Sequence, residues 1–171
     1  MNNSQPKFQL ELGNLIWLYR ADRDLTVFFI SASILNKGEP SVAINWKARY
    51  IVTGNPEAME LFNIIGTYEV TVGNEKVGFT NDNLLNLKTL ENPIAKGQWI
   101  GGRILCTVKG NRTAQVMALQ YTIEIECDDY IGSRSIGTYR PDSKPPDRLL
   151  VHYKEHLESI AGSDDEPKLL K

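Results

Sequence analysis

Ile44-Asn45-Trp46-Lys47-Ala48-Arg49-Tyr50-Ile51-Val52 separates its side chains into two sets. Ile44, Trp46, Ala48, Tyr50 and Val52 point one way. Asn45, Lys47, Arg49 and Ile51 point the other, and Ile51 is the only apolar member of that second set. Successive side chains of a β-strand face opposite sides of its sheet, so this stretch predicts a half-buried strand.

The same period of two extends in both directions, from Phe8 to Tyr139. Phe8-Gln9-Leu10-Glu11-Leu12 alternates cleanly. Leu25–Leu35 is apolar on both parities, which predicts a central strand covered on both sides. Further strands are expected at Thr67–Val72, Glu75–Thr80, Leu84–Leu90 and Ile100–Val108, with Gly73-Asn74 as a tight hairpin turn and Lys109-Gly110-Asn111 as another turn. The longest strand is expected over Gln115–Cys127. Met117, Leu119, Tyr121, Ile123, Ile125 and Cys127 would lie on its apolar face, with Glu124 and Glu126 on a solvated one.

Two segments depart from the pattern. Asn55–Phe62 suits one helical turn capped by Asn55, with Pro56 in its first turn. After Lys144-Pro145-Pro146, Asp147 is a plausible helix cap, and Leu149, Leu150, Tyr153, Leu157 and Ile160 form a helical stripe ended by Gly162. The resulting layout is a flexible start over 1–6, a β-sandwich over 7–140, a Pro-rich linker and amphipathic helix over 141–161, and a disordered acidic tail over 162–171. The fold class is all-β, an antiparallel sandwich of about eight strands with a short C-terminal helix.

The chain has 171 residues, enough to fill one domain core, and a net charge of -2. Without a basic excess, general nucleic-acid binding is not expected. No stretch approaches the ~18 apolar residues of a membrane span, and the start, Met-Asn-Asn-Ser-Gln-Pro-Lys, has no apolar secretory core. A cytoplasmic protein is expected, with Cys106 and Cys127 reduced.

Three stretches carry a family likeness. Asn36-Lys37-Gly38-Glu39-Pro40-Ser41 follows a long apolar strand, and Trp46 stands in the next. Pro93-Ile94-Ala95-Lys96-Gly97-Gln98-Trp99-Ile100-Gly101-Gly102 leads into a later strand, and Asp128-Asp129-Tyr130-Ile131-Gly132-Ser133-Arg134 closes the longest one. Over roughly Leu25 to Thr138 the chain resembles uncharacterised bacterial immunoglobulin-like modules with an N-x-G turn between two sandwich strands. The resemblance implies a fold and no activity. The cysteine pair of antibody domains, flanking the tryptophan, is missing, so no antigen-receptor or adhesion role follows. On the residues alone, Gly38 permits a positive φ in a tight connection, Asn36 can hydrogen-bond the turn backbone, and Trp46 is a large core filler.

Few constellations suggest chemistry. His152-Tyr153-Lys154-Glu155-His156 matches H-x-x-E-H, in which two histidines one helical turn apart hold zinc and a glutamate activates water. Only residues 157–171 follow to supply a third ligand, so His152 and His156 read as flanks of an apolar helix seam and weak metal candidates. Cys106 and Cys127 read as small buried hydrophobes, with a disulfide as the alternative. Glu124, Glu126, Asp128 and Asp129 offer hard oxygen ligands for calcium, but their spacing matches no loop template and they read as a solvated face. Asn111-Arg112-Thr113 is a formal glycosylation sequon that reads as a turn.

No cofactor is implied, and no nucleophile–base–orienter set is complete. The chain therefore reads as a non-catalytic binding or assembly module, for a protein partner or for self-association, with no membrane role. Its contacts are expected at the end loops or at an exposed edge strand within Tyr130–Tyr139. The candidate contact residues are Asn36, Gly38, Pro40, Lys96, Gly97, Trp99, Gly101, Tyr130 and Arg134. Two alternatives stand beside this reading: a metal-dependent hydrolase using H-x-x-E-H, and a barrel carrying a small apolar ligand.

Overall fold

The computed structural model describes residues 5–61, 68–72, 75–79 and 83–151. Within them run β1 (Phe8–Arg20), β2 (Leu25–Asn36), β3 (Ile44–Val52), β4 (Asn55–Leu61), β5 (Tyr68–Val72), β6 (Glu75–Phe79), α1 (Leu85–Glu91), β7 (Trp99–Lys109), α2 (Thr113–Met117), β8 (Thr122–Asp128), β9 (Arg134–Tyr139) and β10 (Asp147–Val151). The ten strands follow one another in the order β6-β5-β10-β1-β2-β7-β4-β3-β8-β9, and eight strands make a curled sheet that forms a half-barrel. The fold is all-β.

Two-residue periodicity sets the concave face. Phe28, Ile30, Ala32 and Ile34 of β2 meet Ile104, Cys106 and Val108 of β7, Ala48 and Tyr50 of β3, and Ile123, Ile125 and Cys127 of β8 in one buried cluster. The ring centroids of Phe28 and Tyr50 lie 5.7 Å apart, and those of Tyr50 and Tyr121 lie 5.5 Å apart. β2 is buried on its other parity too, at Val27 and Phe29, as Leu25–Leu35 predicts. Trp46 packs half-buried against the edge of the core, and its indole N–H donates to the Ala43 carbonyl.

β1 keeps its apolar side inward by a bulge. Leu12 faces Ala32 and Leu15 faces Ile30, so three steps on β1 match two on β2. The parity of β1 reverses there, which lets both Leu10 and Trp17 enter the core. At the far end of the sheet the inner face of β9 lies on β1. Gly137 is buried against Leu10 and Leu12, and the Ser135 hydroxyl donates to the Phe8 carbonyl at 3.2 Å.

Four expectations need correction. Asn55–Phe62 does not form a helical turn, because Asn55–Leu61 is strand β4. Thr53 and Gly54 both take positive φ and make the two-residue hairpin that returns β4 antiparallel to β3, with Val52 opposite Asn55. Pro56 is tolerated because β4 pairs with β7 only at Glu60 and Leu61, so its first residues have a ladder neighbour on one side alone.

Leu84–Leu90 is not a strand, since Leu85–Glu91 is helix α1. Leucine and lysine favour helix, and Thr89 is the only β-branched residue in it. Leu85 and Thr89 are both buried, four apart on one face. The Lys88 ammonium donates to the Gly101 carbonyl at 2.7 Å, tying the helix to β7.

Gln115–Cys127 is likewise not one strand. Thr113–Met117 is a short helix, Leu119 takes a φ of 59°, and β8 begins at Thr122. Asn111 Oδ1 accepts the Thr113 N–H at the start of that turn, and Met117 is exposed. From Tyr121 to Cys127 the predicted apolar parity holds. Glu126 is nevertheless buried rather than solvated, because two arginines cover it.

Finally, the residues after Pro146 start as a strand and not as a helix. β10 pairs in parallel with β1, Ile16 opposite Asp147, and antiparallel with β5. A short run such as Leu149-Leu150-Val151 fits a strand or a buried helix equally by pattern. The neighbouring Pro146 carbonyl accepts the Trp17 indole N–H at 3.1 Å, which holds the segment against β1. The rest of the expected helix, with His152, Tyr153, His156, Leu157 and Ile160, lies outside the described residues, as do the 162–171 tail, the turn residues Gly73 and Asn74, and residues 1–4.

Candidate functional site

Three loops meet at one end of the sheet, and Asn36 joins two of them. It is fully buried. Its Oδ1 accepts the backbone N–H of Lys7 at 3.2 Å and of Gly38 at 2.9 Å, while its Nδ2 donates to the carbonyls of Glu39 at 2.7 Å and Ile94 at 2.8 Å. Its backbone N–H donates to Gln98 O, and its own carbonyl accepts from Gly97 N. One amide thus ties the N-terminal segment, the 36–41 loop and the 93–98 loop together, with all of its side-chain capacity used.

Gly38 serves differently from the expectation. It is not among the positive-φ glycines. A Cβ there would sit 1.9 Å from the Gln5 carbonyl oxygen, so glycine is required by the close passage of the N-terminal segment. Gly97 does take a positive φ, 79°, in the turn that precedes β7. Pro40 and Lys96 are exposed beside these turns.

Ser41 brings in the third loop. It forms a bridge with Ile94, and its Oγ accepts the Tyr130 N–H at 3.0 Å. Asp129, buried next door, uses one oxygen to accept the N–H groups of Ile131, Gly132 and Ser133. That carboxylate holds the turn rigid and leaves Tyr130 and Ile131 59% and 47% exposed. Large apolar side chains standing on a fixed loop can be buried by a partner at little entropic cost.

Arg134 stands at the start of β9 and belongs to a charge ladder. Arg49 on β3 bonds Glu124 at 3.0 Å and Glu126 at 2.7 Å, and Arg134 contacts Glu126 at 3.1 Å and Asp128 at 3.5 Å. The carboxylates that resemble a calcium set are engaged by arginines, and Asp129 by backbone N–H groups. Among the described residues, no group of three or more His, Cys, Asp or Glu residues is placed to hold a metal ion.

Trp99 is the first residue of β7, opposite Leu35, and is 64% exposed. Its ring atoms Cη2, Cζ3 and Cζ2 lie 3.0, 3.4 and 3.6 Å from where a Cβ would stand on Gly101. Those distances bring the outer edge of the six-membered ring over the glycine, where a side chain would otherwise stand. Beside it runs a trough of about 530 Å³ on the outer face of β1, β2 and β7, lined by Glu11, Gly13, Ser31, Ser33, Trp99 and Gly101 among others. Small residues at the outward positions of three neighbouring strands leave this hollow. Trp99 and Gly101 stand out in the sequence, whereas Glu11, Ser31 and Ser33 carry no signal there and come beside them only through the strand register.

Cys106 and Cys127 are free and buried. They lie on β7 and β8, with β4 and β3 between them in the sheet. Burial raises the Cys106 thiol far above its ordinary range. Burial, with the nearby carboxylates of Asp128, Asp129 and Glu126, pushes Cys127 up to about 12. Neither is a thiolate at neutral pH.

No protein-family model and no curated protein matches the chain. Among solved structures it is similar to the crystal structure described as "Putative ApaA Protein" from Bordetella pertussis, at 9% identity and a TM-score of 0.38, over 88% of this chain and 98% of that one. A likeness of that size assigns neither family nor activity. No helix among the described residues is long and apolar enough to cross a membrane.

Proposed function

We propose that this protein is a non-catalytic, immunoglobulin-like binding or assembly module that engages a protein partner, or a second copy of itself, through its knotted loop end. The observation that carries the reading is the Asp129-fixed turn, with Tyr130 and Ile131 exposed on it. Loops clustered at one end of a β scaffold are where such modules make contact. The seating of the inner face of β9 on β1 supports the sandwich-like reading of the curled sheet. Two buried thiols on non-neighbouring strands suit a reducing, cytoplasmic setting. The exposed Ile136 on β9, which ends the sheet order, offers a second contact by strand addition.

The test is chemical cross-linking in lysate together with sedimentation velocity, on wild type and on Tyr130→Ala/Ile131→Asp. The variant is expected to lose a cross-linked partner or a dimer that wild type shows, with its thermal unfolding unchanged. Identical partners and mass for the two proteins would refute the loop end as the contact. A hydrolytic activity lost in both His152→Ala and His156→Ala would replace the reading altogether.

A further inference from the structure

The outer-face trough goes beyond the loop end as a contact, and its geometry points to a ligand of its own. We propose that it binds a neutral pyranose saccharide, stacked on Trp99 and hydrogen-bonded by Glu11, Ser31 and Ser33.

Strand register brings these residues together. Glu11 pairs with Ser33, Ser33 with Gly101, and Ser31 with Arg103 across β1, β2 and β7. These outward positions form a grid in which Glu11 and Gly101 flank Ser33. With strands ~4.8 Å apart, Glu11 and Gly101 are separated by about 10 Å. The indole of Trp99 reaches over the Gly101 end of that span. This indole is 64% exposed and so offers its ring to a ligand in the trough.

The negative face of an indole attracts C–H groups that carry partial positive charge, and the axial face of a pyranose presents a flat array of them. Such a ring leaves its hydroxyls at the rim, parallel to the indole. Here the rim would meet the Glu11 carboxylate, which accepts donated hydroxyl hydrogens, and the two serine hydroxyls, which donate or accept. The breadth of the span, the few polar groups among a largely apolar lining and the openness of the trough fit a ring ligand with one apolar face that stays partly in water. A guanidinium also stacks on indole and pairs with a carboxylate, but it uses neither the two serines nor the full breadth.

The test is an NMR titration of the full chain with neutral trisaccharides of glucose, N-acetylglucosamine and mannose, and in parallel with Nα-acetylarginine amide. A saturable shift of the Trp99 indole N–H and the Ser31, Ser33 and Gly101 amides is expected with at least one trisaccharide. Trp99→Ala should weaken it at least about tenfold, and Trp99→Phe should recover part of the loss. Gly101→Val should also weaken it about tenfold, because it lifts the indole while leaving every polar group in place. Spectra matching wild type away from the trough show that each variant is folded.

No shift with any trisaccharide overturns the proposal. A response to the arginine amide alone, abolished in Glu11→Gln, overturns it in favour of an arginine-bearing protein. Saccharide binding should survive Tyr130→Ala/Ile131→Asp unchanged, so this site and the loop-end contact fail separately.

Discussion

The amide nitrogen of Asn36 donates to the carbonyl of Ile94 at 2.8 Å, across 58 residues of sequence and in full burial. This bond holds two of the three loops of the candidate contact end in place. Asn36→Ala leaves the Ile94 and Glu39 carbonyls and the Gly38 and Lys7 N–H groups without their side-chain partner. A cost of about 3 kcal/mol is expected, since each buried polar group left unpaired costs about 1–3 kcal/mol and part of the site will admit water. Urea unfolding measures it. Amide exchange should accelerate first at Gly38, where the loop releases. A loss below about 1 kcal/mol would show that the knot is not what orders the loops.

Gly38 tests the same end by sterics alone. A Cβ 1.9 Å from the Gln5 oxygen cannot be accommodated without moving backbone. Gly38→Ala should displace the segment that pairs Gln5 with Glu39 and Lys7 with Lys37, at about 1–3 kcal/mol. Limited proteolysis should then cut near residues 5–8, where wild type resists.

Much of the inner face was legible in sequence, and the reason is the period of two. The parities of Ala48 with Tyr50, of Ile123 with Ile125 and Cys127, and of both sides of β2 follow from hydrophobicity alone. Short runs carry too little periodicity to separate helix from strand. Leu85–Glu91 has leucines at spacings that suit either structure, and its choice is made by the edge of β7 that β4 leaves open. Asn55–Leu61 is a strand because the Thr53-Gly54 turn outweighs the helix signal of Asn55-Pro56. The loop end was half legible. Asn36 announced itself as a turn former, but the grouping of Asp129, Ser41 and Ile94 is tertiary, and so is the meeting of Glu11, Ser33 and Trp99 over strands far apart in the chain.

The charge ladder predicts an asymmetry. Glu126 is 4% exposed and sits between Arg49 and Arg134, whose side chains are 28% and 55% exposed. Arg49→Met removes its closest partner, at 2.7 Å, and should cost about 2 kcal/mol. Arg134→Met removes a longer, more hydrated contact and should cost under about 1 kcal/mol. Denaturant unfolding of the two variants separates them, and equal losses would contradict the geometry.

The thiols give a reactivity prediction. Cys106 and Cys127 are buried and held protonated by burial. An aromatic disulfide reagent at neutral pH should leave both unmodified in the native protein and label both after unfolding in denaturant. Fast labelling of the native protein would mean that the sheet opens at β7 or β8.

Alkaline pH should destabilise the fold through its stacked tyrosines. Burial raises Tyr50 from 10.0 to about 12, and it raises Tyr121 and Tyr139 as well. Below pH 10 these phenols are neutral in both the folded and unfolded chains, so they add no pH dependence. Above it the unfolded chain releases protons that the folded chain keeps, and stability falls as pH rises towards the folded values. The Tyr50 share is therefore lost between about pH 10 and about pH 12. Tyr50→Phe removes that share, along with the hydrogen bond to Gln115 at 2.9 Å. It should lower stability at pH 7 by about 1 kcal/mol yet flatten its fall above pH 10. Denaturant midpoints from pH 7 to 11 measure both effects. A variant that falls as steeply as wild type would show that Tyr50 is not shielded in the folded state.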